Sequence, residues 1–340
     1  MPPVKRVTIA DIARIAGVSP GAVSFALNGK PGVSEATRER ILQVAQDQKW
    51  SPSQAARALV GARANAIGLV LNRPARSLGT EAFFADLIAG IQAGLSDGKL
   101  SLQLRLVSSF EEELETHRHW HAAHQVDGVL LIDPRDDDPR QRALEELGVP
   151  TVVVGSHASA PGSAPAVWLD DAATAHELFD YLAALGHTRI AYVAGPEEFD
   201  HTRLRTAVLD GLSARGVSSE TMATDFSPAV AGTVTRRLLS AAKRPTAIVY
   251  DNDVMAVAGL RVLQEMGVAV PADVSVASFD DSVIAELVRP SITSMTRDTF
   301  ALGQRAAALL LRQIDASEPL PSEAGATPTL TVRESTARPV

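Results

Sequence analysis

Residues 8–28, TIADIARIAGVSPGAVSFALN, read as two short helices joined by a tight turn. Thr8 is placed to cap the first helix, with Asp11 three residues on among the unpaired amides of the first turn. Ile9, Ile12, Ala13 and Ala16 repeat at i, i+3, i+4 and i+7 and make one apolar face. Gly17 stops the helix, Val18 turns inward, Ser19 is an N-cap and Pro20 takes the first helical position, where a missing N–H costs nothing. Val23 and Leu27 face inward on the second helix, which Asn28-Gly29 ends. Helix, glycine turn and capped second helix in about twenty residues is the pattern of a helix-turn-helix, whose second helix enters the DNA major groove. Any small helical hairpin shares part of this pattern, so the remainder of the chain has to decide.

Outward from this stretch, Ser34 caps a third helix in EATRERILQVAQDQKW, with Ile41, Val44 and Ala45 on one face. A headpiece therefore closes near Trp50. Ser51-Pro52-Ser53-Gln54 is a capping box for the short segment QAARALV, which ends at Gly61; a helix this short is marginal in water and needs a partner to order it. Residues 1–63 carry nine Lys/Arg against four acids, a head of +5 on a chain of −8, so the remainder is −13. A basic head on an acidic body suits phosphate contact by the head alone, although a merely solvated basic face has the same composition.

From Ala66 the texture changes to βαβ alternation: IGLVL (67–71), LQLRLV (102–107), DGVLLID (127–133) and TVVVG (151–155), with helical patterns between them. After VWLDD (167–171) it restarts with RIAYVAG (189–195), AIVYD (247–251), VSVASFDD (274–281) and SITSM (291–295), then closes on the amphipathic TFALGQRAAALLLRQI. A helix is expected from about His201 to Arg215. The fold expected is an all-α helix-turn-helix headpiece followed by a two-lobed α/β body with parallel sheets, ligands binding beyond the strand C-termini in the cleft between lobes.

Composition limits the function classes. With no cysteine there is no disulfide framework or thiolate metal site. The start MPPVKRVTIAD has no apolar signal region and no uncharged run reaches a membrane span, which leads us to expect a cytoplasmic protein. Gly17–Gly21 fits G-x-S-x-G, but a helix rather than a strand precedes it, so a nucleophile elbow is rejected. His117, His121 and His124 recur at i, i+4 and i+7; a solvated helix face beside the acidic run 111–115 is expected rather than a zinc site. No phosphate loop or G-x-G-x-x-G is present, so neither an enzyme nor a cofactor is expected.

The ordered motifs VTIADIARIAGVS, AVSFALNG, VSEATRERI, SPSQAARAL, IGLVL, VDGVLLI, LGHTRIAYVAGP, YDNDVMAVAGL and VPADVSVASFDD resemble the lactose-repressor (LacI/GalR) family of transcriptional regulators. The resemblance implies a headpiece at 1–50, a hinge helix and linker at 51–63, and a periplasmic-binding-protein-like (type I) effector-binding and dimerisation body at 64–340. It divides that body into an N-lobe of about 64–167 plus 296–325 and a C-lobe of about 168–295 plus 326–340. It implies a homodimer on a near-palindromic operator, acting as a repressor, with a small sugar-like effector in the cleft. DNA contact is implied at Thr8, Ser19, Pro20, Gly21, Ser24, Phe25, Asn28, Ser34, Thr37, Ser53 and Ala56, with Leu59 as the minor-groove wedge of the hinge.

The family usually carries arginine where this chain has Phe25, so apolar contact, for instance to a thymine methyl, replaces bidentate readout of guanine; the alternative is a Phe25 packed inside the headpiece. Effector contact is implied at Arg205, Asn252 and Asp280, with Arg205–Asp280 as a structural ion pair the alternative; Phe84 is a candidate stacking wall for the effector, with core packing the alternative. Phe83 and Trp168 are further candidate cleft walls, Trp168 equally a sheet cap. The family's glycine after the Arg205 turn is Val208 here, which leaves the pocket shape at that point open. A sugar-binding protein of periplasmic type without a regulatory role is the alternative function; the basic head argues against it.

Overall fold

The computed structural model describes residues 7–27, 30–50, 63–73, 77–95, 100–156 and 164–339, and the chain falls into two units, 1–64 and 65–340. Asn28, Ser53, Ala56, Leu59 and the hinge segment lie outside the described residues.

In the first unit, α1 (Ile9–Ala16), α2 (Pro20–Leu27) and α3 (Glu35–Asp47) pack around Ile12, Ala13, Ala16, Val23, Ala26, Ile41 and Ala45. The Asp11 amide donates to Thr8 Oγ1 and the Thr8 amide to Asp11 Oδ2, which completes a capping box. Gly17 ends α1 at φ +68, a left-handed turn that no β-branched side chain tolerates cheaply. The Ala22 amide donates to Ser19 Oγ at 3.2 Å, capping α2, and the Thr37 amide donates to Ser34 Oγ at 3.3 Å, capping α3. Arg38 reaches back from α3 and donates to the carbonyls of Ala26 and Lys30, both at 2.9 Å, pinning the α2–α3 connection.

The second unit contains two six-stranded sheets. One runs in the order β11-β5-β4-β3-β1-β2, all parallel, from β1 (Ala66–Asn72), β2 (Ser101–Val107), β3 (Gly128–Ile132), β4 (Thr151–Ser156), β5 (Ala166–Leu169) and β11 (Glu323–Ala324). The other runs β12-β10-β9-β8-β6-β7, from β6 (Arg189–Ala194), β7 (Ser218–Ala223), β8 (Ala247–Tyr250), β9 (Ser275–Ser278), β10 (Thr293–Thr296) and β12 (Thr329–Thr331), parallel except for β12. Central strands are buried along their length, as sheets covered by helices on both faces require. Helix α4 (Ala82–Gly94) and the long α11 (Thr299–Asp315) cover the first sheet and share one apolar core. The second sheet has separate cores on its two faces, one under α7 (Asp171–Leu185) and α8 (Asp200–Gly211), the other under α9 (Pro228–Ser240) and α10 (Asp253–Glu265).

The helix expected from about His201 to Arg215 is α-helical over Asp200–Gly211 and continues as a 3₁₀ turn, Leu212–Arg215, before the edge strand β7. One expectation needs correction. The three histidines do not share a solvated face. On α5 (Phe110–Ala122) His117 is 2% exposed and lies edge-on to Trp120, and His124 falls beyond the helix in left-handed backbone. Glu113, in the acidic run, is likewise buried and paired with Arg140 of α6 (Pro139–Glu146) at 2.8 Å. No group of His, Cys, Asp and Glu among the described residues is arranged to hold a metal.

Candidate DNA-reading helix and effector cleft

On the headpiece, Pro20, Gly21 and Phe25 of α2 are exposed, as are Thr8, Ser19 and Ser34, while Ser24 and Thr37 are half-buried. Phe25 is 44% exposed, so it is not a core residue. One edge of its ring packs over Gly32, where a Cβ would come within 3.2 Å. The ring is thereby held at the surface instead of folding inward. Apolar contact area fixed in this way can meet a thymine methyl but offers no hydrogen bond to a base edge.

In the body, a cavity of about 80 Å³ lies between the lobes, lined by residues that follow the C-terminal ends of strands in both sheets. Arg73 follows β1, Asp133 follows β3, Asp171 follows β5, Asp251 and Asn252 follow β8, Asp280 follows β9 and Arg297 follows β10. The two doubly wound sheets thus point their strand ends at one place. Phe83 and Phe84 enter from α4, His201 and Arg205 from α8, and Phe226 from the loop after β7. Trp168 does not line the cavity; its neighbour Leu169 does.

Arg205 is buried, its guanidinium donating to Asp171 Oδ1 at 2.6 Å and Asp251 Oδ1 at 2.7 Å, and it lies 4.3 Å over the Phe279 ring. Burial alone would lower its pKa; the Asp171 and Asp251 carboxylates, with Tyr192 and Asp280, hold it well above the usual value. Burial in turn would raise Asp251, but Arg205, the His201 imidazole 3.4 Å away and the Tyr192 hydroxyl hold it well below the ordinary carboxylate range. Asp171 is lowered in the same sense, burial being outweighed by Arg205, His201 and Arg297. Arg205 and Asp280 are not an ion pair: Asp280 pairs with Arg297, which also donates to the Phe279 carbonyl and lies 5.6 Å over Phe83. Asn252 caps α10 through Met255, and its Nδ2 stands 3.5 Å from Glu81 across the cleft.

Phe226 carries the most constrained wall. Its backbone sits at φ +64, costly for a bulky side chain, and its ring stacks on Phe199 and His201 at centroid distances of 6.0 and 6.2 Å. The ring occupies the space beside Gly195, where a Cβ would come within 2.2 Å of it. Only glycine leaves that space.

The HTH-type transcriptional regulator CelR of Thermobifida fusca is 34% identical over 324 residues, 93% of this chain and 95% of that protein. The chain belongs to the LacI family. The family model for bacterial regulatory proteins of the lacI family matches residues 8–53, and one for a periplasmic binding protein-like domain matches 179–336. The solved complex of the transcriptional regulator CelR with cellobiose is 30% identical, with a TM-score of 0.73 over 97% of this chain and all of that one. A lac repressor dimer bound to operator and the anti-inducer ONPF is 26% identical, with a TM-score of 0.80 over 98% of this chain and all of that one. Like its LacI-family relatives, the chain is a DNA-binding transcriptional regulator. No single helix among the described residues is long and apolar enough to cross a membrane.

Of the effector residues named from the sequence, Phe84, Arg205, Asn252 and Asp280 meet at this one cavity, together with Phe83. Arg73, Glu81, Asp133, Asp171, His201, Phe226, Asp251 and Arg297 were not named. Asp171 and Asp251 had a signal: each is an acid just past an apolar run, in VWLDD and AIVYD, where a parallel sheet presents its ligand side.

Proposed function

We propose that this LacI-family chain is a repressor that binds a near-palindromic operator as a homodimer and is controlled by an uncharged sugar, a disaccharide such as the cellobiose of the CelR complex being the first candidate. The observation that carries this is the composition of the cleft. Aromatic rings on both sides (Phe83 and Phe226, with Phe84 buried in the core behind Phe83) suit the apolar faces of a pyranose, and carboxylates ring them as hydroxyl acceptors. Among the described lining residues five carboxylates (Glu81, Asp133, Asp171, Asp251, Asp280) face three guanidiniums and one imidazole, so even a protonated His201 leaves the lining net acidic. Each guanidinium is already paired with a carboxylate. A phosphate or sugar acid therefore meets repulsion with no cation to spare. Within this reading Phe84, Arg205, Asn252 and Asp280 contact the effector, and Thr8, Ser19, Pro20, Gly21, Ser24, Phe25, Asn28, Ser34, Thr37, Ser53, Ala56 and Leu59 contact operator DNA.

One head grips a half-site, so pairing of two chains supplies both spacing and affinity. Thermal shift of the full chain with matched pairs of neutral and phosphorylated sugars tests the effector class: stabilisation by a neutral member alone is expected, and stabilisation by its phosphate contradicts the charge argument. For the head, Phe25→Ala should cost about 1 kcal/mol at operators carrying a thymine under α2 and nothing when that thymine is replaced by uracil, which lacks the methyl. Equal losses on both duplexes would remove Phe25 as a methyl reader.

A further inference from the structure

Resting on the reading of the cleft as an effector seat, we propose that the Arg73 guanidinium is the built-in occupant of that seat and selects its ligand: a sugar binds by displacing it from the Phe226 and Phe199 rings. Arg73 leaves the N-lobe sheet at the end of β1 and is 8% exposed. Its guanidinium lies 4.4 Å from the Phe226 ring centroid, 5.1 Å from Phe199 and 5.8 Å from Phe84. It pairs with Asp133 at 2.6 Å and donates to the Asn72 carbonyl at 3.2 Å, while its buried Nε meets no acceptor among the described residues. A planar, weakly hydrated cation fills an aromatic slot as an ammonium does not.

The space left beside it, about 80 Å³, suits a few waters and falls well short of the roughly 300 Å³ at which small-molecule pockets begin. A sugar ring enters only if something leaves. The other lining cation from β-strand ends, Arg297, and the buried Arg205 hold carboxylates that flank the cavity. Arg297 also lies over a lining ring, Phe83, at 5.6 Å, but Arg73 is the cation that covers Phe226, at 4.4 Å.

The displacement sets two requirements on the ligand. It must offer an apolar face to Phe226, which lines the cavity, and it must give Asp133 a hydrogen-bond donor in place of the guanidinium. A hydroxyl-bearing ring meets both. Displacement also reaches lobe closure, because Phe199 and Phe226 belong to the lobe opposite Arg73. Beside Phe199 the lobes meet directly: the Asp200 amide donates to the Pro134 carbonyl at 3.0 Å, and Arg135 bridges to Phe199. As the first residue of α8, Asp200 has no acceptor within its own helix, so that amide reports closure.

Hydrogen exchange of the unliganded full chain, followed on peptides covering 133–138 and 196–203, is the test. Arg73→Ala should speed exchange there about 10-fold, with helix α9 unchanged as an internal measure of folding. Arg73→Lys should also speed it, because the ammonium keeps Asp133 and loses the stack. Wild-type rates in either variant overturn the proposal, as does a uniform rise that includes α9. In calorimetric titrations with cellobiose and maltose, the sugar that binds should bind Arg73→Ala about 10-fold tighter than wild type. Weaker binding to the variant makes Arg73 a ligand contact and overturns displacement. Binding of neither sugar to either protein, with the exchange change present, overturns the disaccharide reading and leaves Arg73 as the occupant.

Discussion

Arg205 and Arg73 face the same cleft from opposite lobes, and their anchors differ. Arg205 is held by Asp171 and Asp251, at the start of α7 and the end of β8, elements that pack with its own helix on the second sheet. Arg73 takes its carboxylate from its own lobe but two of its three aromatic faces from the other. Arg297 also straddles, with Asp280 on one side and Phe83 on the other. The Arg205 network survives any rigid movement of one lobe against the other, whereas the straddling contacts exist only in the closed arrangement. Within our proposal, bistability of the kind an effector can bias resides in Arg73, Arg297 and the Asp200–Pro134 contact, with the Arg205 cluster as the fixed platform beneath them.

The contrast can be broken by substitution. Arg205→Ala removes the cation shared by two buried carboxylates, leaving Asp251 only His201 and Tyr192, and should cost about 3–5 kcal/mol in urea unfolding of the full chain. A loss below 1 kcal/mol would mean that the network is not structural. The acid limb of stability follows from the same network. Asp171 and Asp251 have folded pKa values below their unfolded ones, so they contribute stability that is present above about pH 4 and lost as pH falls through the folded values. A midpoint that rises steadily between pH 2 and pH 4 is expected, and a flat one contradicts the assignment. Arg297→Gln, at a straddling contact, should cost less in unfolding than Arg205→Ala yet alter the sugar response. A large stability loss there would erase the distinction between platform and switch.

Much of the headpiece was legible because it is built from local chemistry: Thr8, Gly17, Ser19 and Ser34 each act within a few residues of their own position. The sheets were legible where strands are buried on both faces and read as apolar runs. Strand β7, SSETMA, is an edge with mostly exposed or half-buried positions and carries no such run. Helix α9 was missed although Ser227-Pro228 is a cap with proline at N1 and Val234 and Leu238 are buried at i, i+4. In the cleft, Arg205, Asn252 and Asp280 stand in recognisable motifs. Arg73 and Phe226 do not: one stands just past β1 in VLNR and the other in TDFSP, and tertiary folding alone brings them together. His117 shows the converse error, since spacing gave it the right helix and the wrong side of Trp120.

The most direct test of effector control is fluorescence anisotropy of an operator duplex, selected from random sequence, with the full chain at fixed salt. We expect a neutral disaccharide to weaken operator binding at least about 10-fold, and Asp280→Asn to abolish that shift. Operator affinity that no sugar changes, or a shift that survives intact in Asp280→Asn, would contradict control through this cleft.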